Sequence, residues 1–152
     1  MRSLFQLNVK KILLADDDQD DCLLFKNALA DLSLPLKLTI VPDGVELMDM
    51  LNQENMPLPD VLFLDLYMPR KSGFECLTEI KNNPRLNQIF VIIFSSSYAP
   101  EVVEQLYKNG AQFYVRKPDN VAQFKKVIYH ALHLRNSPAF PALTKTAVNL
   151  SF

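Results

Sequence analysis

Short, largely apolar runs alternate along the chain with longer segments in which apolar residues recur every three or four positions. The runs cover residues 12–15, 38–41, 61–64, 90–94 and 113–115. They lack the regular alternation of apolar and polar residues that a half-exposed strand shows, and this is typical of strands buried on both faces of a parallel sheet. The sequence therefore predicts five buried parallel strands.

The segments between the runs have the apolar spacing of amphipathic helices. The second segment opens with Asp43 and has Glu46 three residues later, which is a capping-box pattern. The fourth begins after Pro100 and stops at Asn109-Gly110, and the fifth extends over residues 120–135. Five strand–helix units in succession predict an α/β fold, a doubly wound parallel sheet with helices on both faces and right-handed crossovers.

Composition narrows the possible functions. The 152 residues suit one domain, and a net charge of −1 lacks the basic excess of a domain that binds nucleic acid directly. Cys22 and Cys76 have no metal-ligand or disulfide spacing. The apolar run at 12–15 is too short for a signal peptide or a membrane span, so a cytoplasmic protein without membrane insertion is expected.

The helical periodicity ends at residue 135. We therefore expect a domain over residues 1–135 and a C-terminal tail over 136–152, with no separate output domain. The tail holds several apolar residues, and Pro138 and Pro141 block a continuation of the last helix. Exposed, these side chains would form an apolar patch, so the tail is expected to dock on its own domain or across a homodimer.

Carboxylates follow two of the predicted strands. Asp16 and Asp17 come directly after the first strand, and Asp65 follows the third. Ligands of an open parallel sheet bind outside the carboxyl ends of the strands, so these acids converge if the first and third strands are neighbours. Clustered carboxylates raise each other's pKa and oppose ionisation, which a hard divalent cation relieves. Mg²⁺ is the expected cofactor.

Two further polar residues end predicted strands. Ser95 ends the fourth strand and Lys117 ends the fifth. Taken singly, each has an ordinary interpretation, as a polar strand terminus and a surface lysine. A hydroxyl and an ammonium that face a carboxylate suit the oxygens of an acyl phosphate. The combination indicates phosphoryl chemistry.

These residues resemble the receiver domains of two-component response regulators, including the single-domain chemotaxis type. The resemblance covers residues 8–135. It rests on the acidic pair Asp16-Asp17, on Asp65 within "DLYMPRKSG", on Ser95 and on Lys117-Pro118. The separations 95 − 65 = 30 and 117 − 95 = 22 are similar to those of the family. The stretch "IKNNPRLNQIFVIIFSSS" looks like the stand-alone receivers that partner with phytochromes and hybrid kinases.

The resemblance implies a flavodoxin-like sheet with strand order 2-1-3-4-5. It also implies that Asp65 accepts a phosphoryl group from a sensor histidine kinase or a histidine phosphotransfer protein. Mg²⁺ would be held by Asp17, Asp65, the backbone carbonyl of Tyr67 and, through water, Asp16. The family further implies a cis Lys117–Pro118 bond.

Activation in the family would proceed through a switch pair. Lys117 pairs with a phosphoryl oxygen, Ser95 moves to donate a hydrogen bond, and Tyr114 turns inward. The face formed by the fourth helix, fifth strand and fifth helix then changes and signals by protein contact or by onward phosphorelay. A homodimer would form through the same face. Asp18, Asp20 and Asp21 match no ligand position, so helix charge and capping are their predicted roles.

Other classes of protein share parts of this pattern. An Asp-nucleophile phosphatase usually has a second Asp two residues after the first, where this chain has Tyr67. A nucleotide-binding enzyme needs a glycine-rich phosphate loop, and Gly44, Gly73 and Gly110 form none. A degenerate receiver that acts only as an interaction module is the remaining alternative, which the intact acids, serine and lysine disfavour. We therefore expect a signalling phosphoacceptor that catalyses only its own phosphorylation and dephosphorylation, not an enzyme acting on other substrates.

Overall fold

Strands and helices alternate along the chain, as the sequence predicts. The computed structural model describes residues 9–96 and 99–135, together with the backbone of residues 148–150. Within these residues the strands are β1 (Lys11–Ala15), β2 (Lys37–Val41), β3 (Val61–Asp65), β4 (Phe90–Ser95), β5 (Phe113–Arg116) and β6 (Val148–Leu150). The helices are α1 (Gln19–Asp31), α2 (Gly44–Leu51), α3 (Gly73–Asn82), α4 (Pro100–Lys108) and α5 (Val121–Arg135).

All strands are parallel and form one sheet in the order β2-β1-β3-β4-β5-β6. The first five strands therefore have the order 2-1-3-4-5, and the predicted flavodoxin-like fold is confirmed. The register places Ala15 beside Leu64 and Asp65 beside Phe94. Because β1 and β3 are neighbours while β2 lies on the far side of β1, the chain reverses direction across the sheet between β1 and β3.

The sixth strand is an addition to the predicted fold. Its residues pair with β5 from Val148 beside Phe113 to Leu150 beside Val115. The remainder of the tail, and with it most of the docking prediction, lies outside the described residues. The division into a domain over 1–135 and a tail over 136–152 stays a prediction.

Apolar residues pack on both faces of the sheet. Within β3, Leu62 and Leu64 face a cluster that includes residues of α2, α3 and α4, whereas Val61 and Phe63 face a cluster with α1 and α5. A strand covered on both faces needs apolar side chains at successive positions, which explains why the runs in the sequence do not alternate.

Side chains cap the first turns of α1, α2 and α3. Asp18 caps α1 by accepting hydrogen bonds from the N–H groups of Asp20 and Asp21. Asp43 caps α2 through the N–H of Glu46, and Ser72 caps α3. The capping roles predicted for Asp43 and Asp18 are confirmed, and the Asp18 cap fixes α1 directly behind the end of β1.

Gly73 allows α3 to begin against the end of β3. A Cβ at this position would lie 2.1 Å from the Asp65 carbonyl oxygen and 2.8 Å from the Leu66 Cα. The Gly73 N–H also donates to the Leu66 carbonyl at 2.8 Å. A Cβ would therefore meet backbone atoms, which cannot relieve the contact by a change of rotamer.

Gly73→Ala is expected to lower the free energy of unfolding by roughly 1–3 kcal/mol, because the new methyl group forces β3 and α3 apart. Urea denaturation followed by circular dichroism measures the loss. Asn82→Ala, at an exposed position of the same helix, is the control and should change stability by less than about 0.5 kcal/mol. Equal stability of the two variants would contradict the packing argument.

Candidate functional site

The polar residues predicted to converge do so at the carboxyl ends of four strands. Asp16 follows β1, Asp65 ends β3, Ser95 ends β4 and Lys117 follows β5. The register brings Asp16 and Asp65 side by side, because each extends a pair of adjacent strands by one residue. The Lys117 N–H donates to the Ser95 carbonyl at 2.8 Å, which continues the pairing of β4 with β5 to this edge.

Three carboxylates form the centre of the site. Asp16, Asp17 and Asp65 each offer an oxygen, and these oxygens all lie within 4.8 Å of one another. Asp16 and Asp65 are buried, whereas Asp17 is exposed. Oxygen ligands that open to solvent on one side fit a hard divalent cation that retains several waters.

Burial determines the electrostatics of this cluster. It raises the pKa of Asp65 to about 7, with Asp16 adding to the rise and Lys117 opposing it. Burial also raises the pKa of Asp16, against the hydrogen bond from Lys117. The two acids therefore ionise reluctantly, and a bound cation would favour their charged forms.

Lys117 reaches into the cluster and is not a surface lysine. Its side chain is 8% exposed, and its Nζ lies 2.9 Å from Asp16 Oδ2 and 3.4 Å from Asp65 Oδ2. Burial alone would lower the pKa of Lys117, but the hydrogen bonds to Asp16 and Asp21 and the charge of Asp65 raise it above its ordinary value. The ammonium is charged at every physiological pH.

Asp21 departs from its predicted role. The sequence assigns it to helix charge and capping, but its Oδ2 lies 3.0 Å from Lys117 Nζ and accepts a hydrogen bond from it. The signal was present in the helical spacing, because Asp21 precedes the buried Phe25 and Ala28 by four and seven residues and so shares their inward face. An acid on the core-facing side of a helix needs a partner, and Lys117 is that partner.

The Asp16 carboxylate is held from two directions. Its Oδ1 accepts the N–H of Asp18 at 2.9 Å, and its Oδ2 contacts Lys117. Both oxygens are therefore oriented by the protein, as the carboxylates of metal sites generally are.

Ser95 and Tyr114, the predicted switch pair, are both buried. Tyr114 belongs to the cluster on the α4 face of the sheet, where Val103, Leu106 and Ala111 are also found. The ring thus lies inside the protein, in the orientation that the switch hypothesis assigns to the activated state.

Tyr67 lies at the rim of the site. Its side chain is 58% exposed and packs edge-on against Phe74, with 6.1 Å between ring centroids. Tyr67 lines an open cleft of about 600 Å³ together with Asp17, Asp65, Lys117 and Ser96. Ser96 was not predicted, since a second serine after the strand carries no pattern of its own. The cleft leaves the Asp65 carboxylate accessible beneath a polar opening.

The resemblance implies a cis Lys117–Pro118 bond, and this prediction is wrong. No peptide bond within residues 9–96 or 99–135 is cis. Trans is the intrinsically favoured isomer before proline, by about 0.5–1 kcal/mol. The Lys117 ammonium contacts all three of its carboxylate partners from the trans backbone.

A doubly wound sheet with clustered acids, a buried lysine and a buried serine at its strand ends defines a phosphoacceptor class of signalling protein. Residues 12–129 match the family described as the response regulator receiver domain. The chain belongs to this family.

Two kinds of relative support the assignment. Response regulator Rcp1 of Synechocystis sp. is 34% identical over 123 residues, which cover 78% of this chain and 84% of the relative. The structure of the phosphorylated cyanobacterial phytochrome response regulator RcpA has a TM-score of 0.77 and 34% identity, covering 85% of this chain and 95% of that one. The Mn²⁺-bound form of response regulator Rcp1 has a TM-score of 0.75 and 32% identity, covering 85% and 96%.

A divalent metal therefore fits the acidic cluster on two grounds, the oxygen geometry of this chain and the Mn²⁺-bound form of a similar protein. No helix in the described part of the chain is long and apolar enough to cross a membrane.

Replacing Asp65 with Asn is expected to stabilise the metal-free protein at pH 8 by roughly 1–4 kcal/mol. The carboxyl titrates near pH 7 in the folded protein, against 3.8 for an ordinary Asp. The Asp65 carboxyl loses its proton at a lower pH in the unfolded chain than in the folded protein. The free energy of unfolding of the wild type therefore falls relative to that of the variant as pH rises from about 4 to 7. The difference should vanish below pH 4, where both side chains are neutral.

Urea unfolding in chelator at pH 4 and at pH 8 measures this difference. Asp20→Asn, which removes an exposed acid nearby, is the control for net charge. An Asp65→Asn variant no more stable than wild type at pH 8 would show that ionisation of the buried Asp65 carboxyl does not destabilise the fold.

Proposed function

We propose that this protein is a response regulator that accepts a phosphoryl group on Asp65 in a Mg²⁺-dependent reaction. The observation that carries the proposal is the position of the Asp65 carboxylate at the end of β3, between the Asp16-Asp17 pair and the Lys117 ammonium, 3.4 Å away. A cleft gives a donor access to it. Family membership agrees with this role.

The reaction transfers one phosphoryl group without net oxidation or reduction. An Asp65 carboxylate oxygen forms a bond to phosphorus while the bond from phosphorus to the donor histidine nitrogen breaks. The electron pair of the breaking bond stays on the imidazole nitrogen. Dephosphorylation reverses the state of Asp65, since water attacks phosphorus, inorganic phosphate leaves and the carboxylate is regenerated.

The chain supplies charge on both sides of the moving group. Asp17, Asp65, the Tyr67 backbone carbonyl and, through water, Asp16 would hold Mg²⁺, which supplies positive charge to the phosphoryl oxygens. Lys117 donates to another phosphoryl oxygen from the opposite side. Positioning and charge neutralisation are the main requirements of such a transfer, and both reside in fixed groups at the strand ends.

Ser95 and Tyr114 would carry the signal away from Asp65. The Ser95 hydroxyl donates a hydrogen bond to a phosphoryl oxygen, and the Tyr114 ring is held inward in the space that the serine leaves. Phosphorylation then favours one arrangement of the face made by α4, β5 and α5, in which β6 covers the outer edge of β5. A downstream protein, a second copy of this chain or a further phosphotransfer protein reads that face.

A sensor histidine kinase or a histidine phosphotransfer protein is the proposed donor. The similar protein RcpA is a phytochrome response regulator, so a photoreceptor kinase is one specific candidate. We place the protein in the cytoplasm, where such donors present their phosphohistidine. A phosphorylation-independent interaction module is disfavoured, because it has no need of a buried lysine that neutralises buried acids.

Phosphorylation of Asp65 can be tested with a small phosphodonor and Mg²⁺. Intact-mass spectrometry should show the addition of one phosphoryl group that is stable in acid and lost in base. Asp65→Asn should abolish the addition, because the amide is not a nucleophile, whereas Asp20→Asn should retain the wild-type rate. Modification of Asp65→Asn at the wild-type rate would place the acceptor elsewhere.

Metal binding can be tested separately from phosphorylation. Asp17→Asn is expected to lower Mg²⁺ affinity by at least about ten-fold. Mutation of a residue that only hydrogen-bonds to a metal ligand already lowers metal affinity by about this factor. Asp17 is exposed, so the fold should tolerate the change. Isothermal titration calorimetry measures the affinity, with Asp20→Asn as the matched control. Unchanged affinity would remove Asp17 from the ligands.

A further inference from the structure

Asp21 contacts the site but has no part in the reaction described above. Its Oδ2 lies 3.0 Å from Lys117 Nζ, closer than Asp65 Oδ2 at 3.4 Å. The Asp21 side chain is 24% exposed and the Lys117 side chain only 8%. This pair is therefore largely withdrawn from water, unlike the surface ion pairs that contribute little.

The hydrogen-bonding capacity of the ammonium gives the contact its significance. A lysine ammonium has three N–H donors. Two of them are taken by short contacts to Asp16 at 2.9 Å and to Asp21 at 3.0 Å, both on the β1–α1 side of the site. The remaining direction faces Asp65. The two acids thus fix the nitrogen and leave one donor for the reacting side.

The cap of α1 does not involve the Asp21 carboxylate. The helix is capped by Asp18, whose side chain accepts the N–H groups of both Asp20 and Asp21. Asp20 supplies a second acid to the same first turn, so the helix keeps a favourable charge there without Asp21. What Asp21 alone contributes is its contact with Lys117.

We propose that Asp21 is a positioning residue for phosphoryl transfer, which holds the Lys117 ammonium beside Asp65 with one N–H directed at the incoming phosphoryl oxygen. The inference rests on the proposed role of Asp65 as phosphoacceptor. Without Asp21, the ammonium is free to move toward Asp65 and form a tighter ion pair with it. The nucleophile is then partly neutralised, and the donor N–H no longer faces the phosphoryl group.

A purely electrostatic effect of Asp21 would have the opposite sign. A carboxylate near the site repels an anionic phosphoryl donor, so its removal would raise the rate of phosphorylation. Positioning predicts a lower rate after removal. The direction of the change therefore separates the two effects.

The test measures the rate constant for phosphorylation of the full chain by phosphoramidate at saturating Mg²⁺. Asp21→Ala is expected to lower this rate constant about ten-fold, the scale of a modest misplacement of a catalytic group. Asp21→Asn should fall between Ala and wild type, since its amide oxygen still accepts from the ammonium. Asp20→Ala, the matched control in the same helical turn, should stay within about two-fold of wild type, as expected for an acid outside the site.

A double-mutant cycle distinguishes positioning from a general loss of structure. In a Lys117→Met background, Asp21→Ala should cause no further loss of rate, because the group that it positions is absent. A thermal melt confirms that each variant is folded, and Asp21→Asn replaces Asp21→Ala throughout the cycle if the Ala variant does not fold.

The outcomes separate this inference from the function on which it rests. A rate in Asp21→Ala equal to or above wild type overturns the positioning role and leaves Asp65 as the acceptor. An equal loss from Asp21→Ala with and without Lys117 also overturns it, because the effect then does not pass through the lysine. Failure of the wild-type protein to be phosphorylated overturns both.

Discussion

One buried ammonium pairs with the carboxylates that a parallel sheet gathers at a single edge. Lys117 contacts Asp16, Asp21 and Asp65 within 3.4 Å, and Asp17 adds a fourth acid to the same edge. Buried charges are costly unless they are paired, and one lysine cannot neutralise four acids. Burial raises the pKa of Asp65, with Lys117 opposing the rise and Asp16 adding to it, and the negative charge that Lys117 leaves at this edge favours a bound cation. The same surplus of buried acid that costs stability would be offset by a divalent cation bound at this edge.

The sequence predicts most of the fold because its strands are buried on both faces. Each apolar run then has no polar interruption, and the helices between the runs show a clear period. Strand order was implied by family resemblance, since no local pattern says which strands are neighbours. β6 was missed for a related reason. It is three residues long, and its pairing with β5 depends on the sheet already being formed.

The convergence of the site side chains could be predicted where position in the chain determines position in space. Asp16, Asp65, Ser95 and Lys117 end or directly follow strands, and parallel strands end at one edge, so their convergence follows from the topology. Asp21 reaches the site from α1. Its role can be predicted only from the helical spacing that puts it on the inward face of that helix. The isomer of the Lys117–Pro118 bond depends on a small intrinsic preference that distant contacts can reverse, and sequence alone cannot decide such a balance.

The sixth strand changes what kind of strand β5 is. With β4 on one side and β6 on the other, β5 becomes an interior strand of the sheet. An edge strand has unpaired N–H and C=O groups on one side and is open to association with other chains. An interior strand is hydrogen-bonded to neighbouring strands on both sides. The lysine that balances the acid cluster directly follows β5. Three residues near the far end of the chain thus become backbone partners of the strand that presents this ammonium, on the side of β5 away from Asp65.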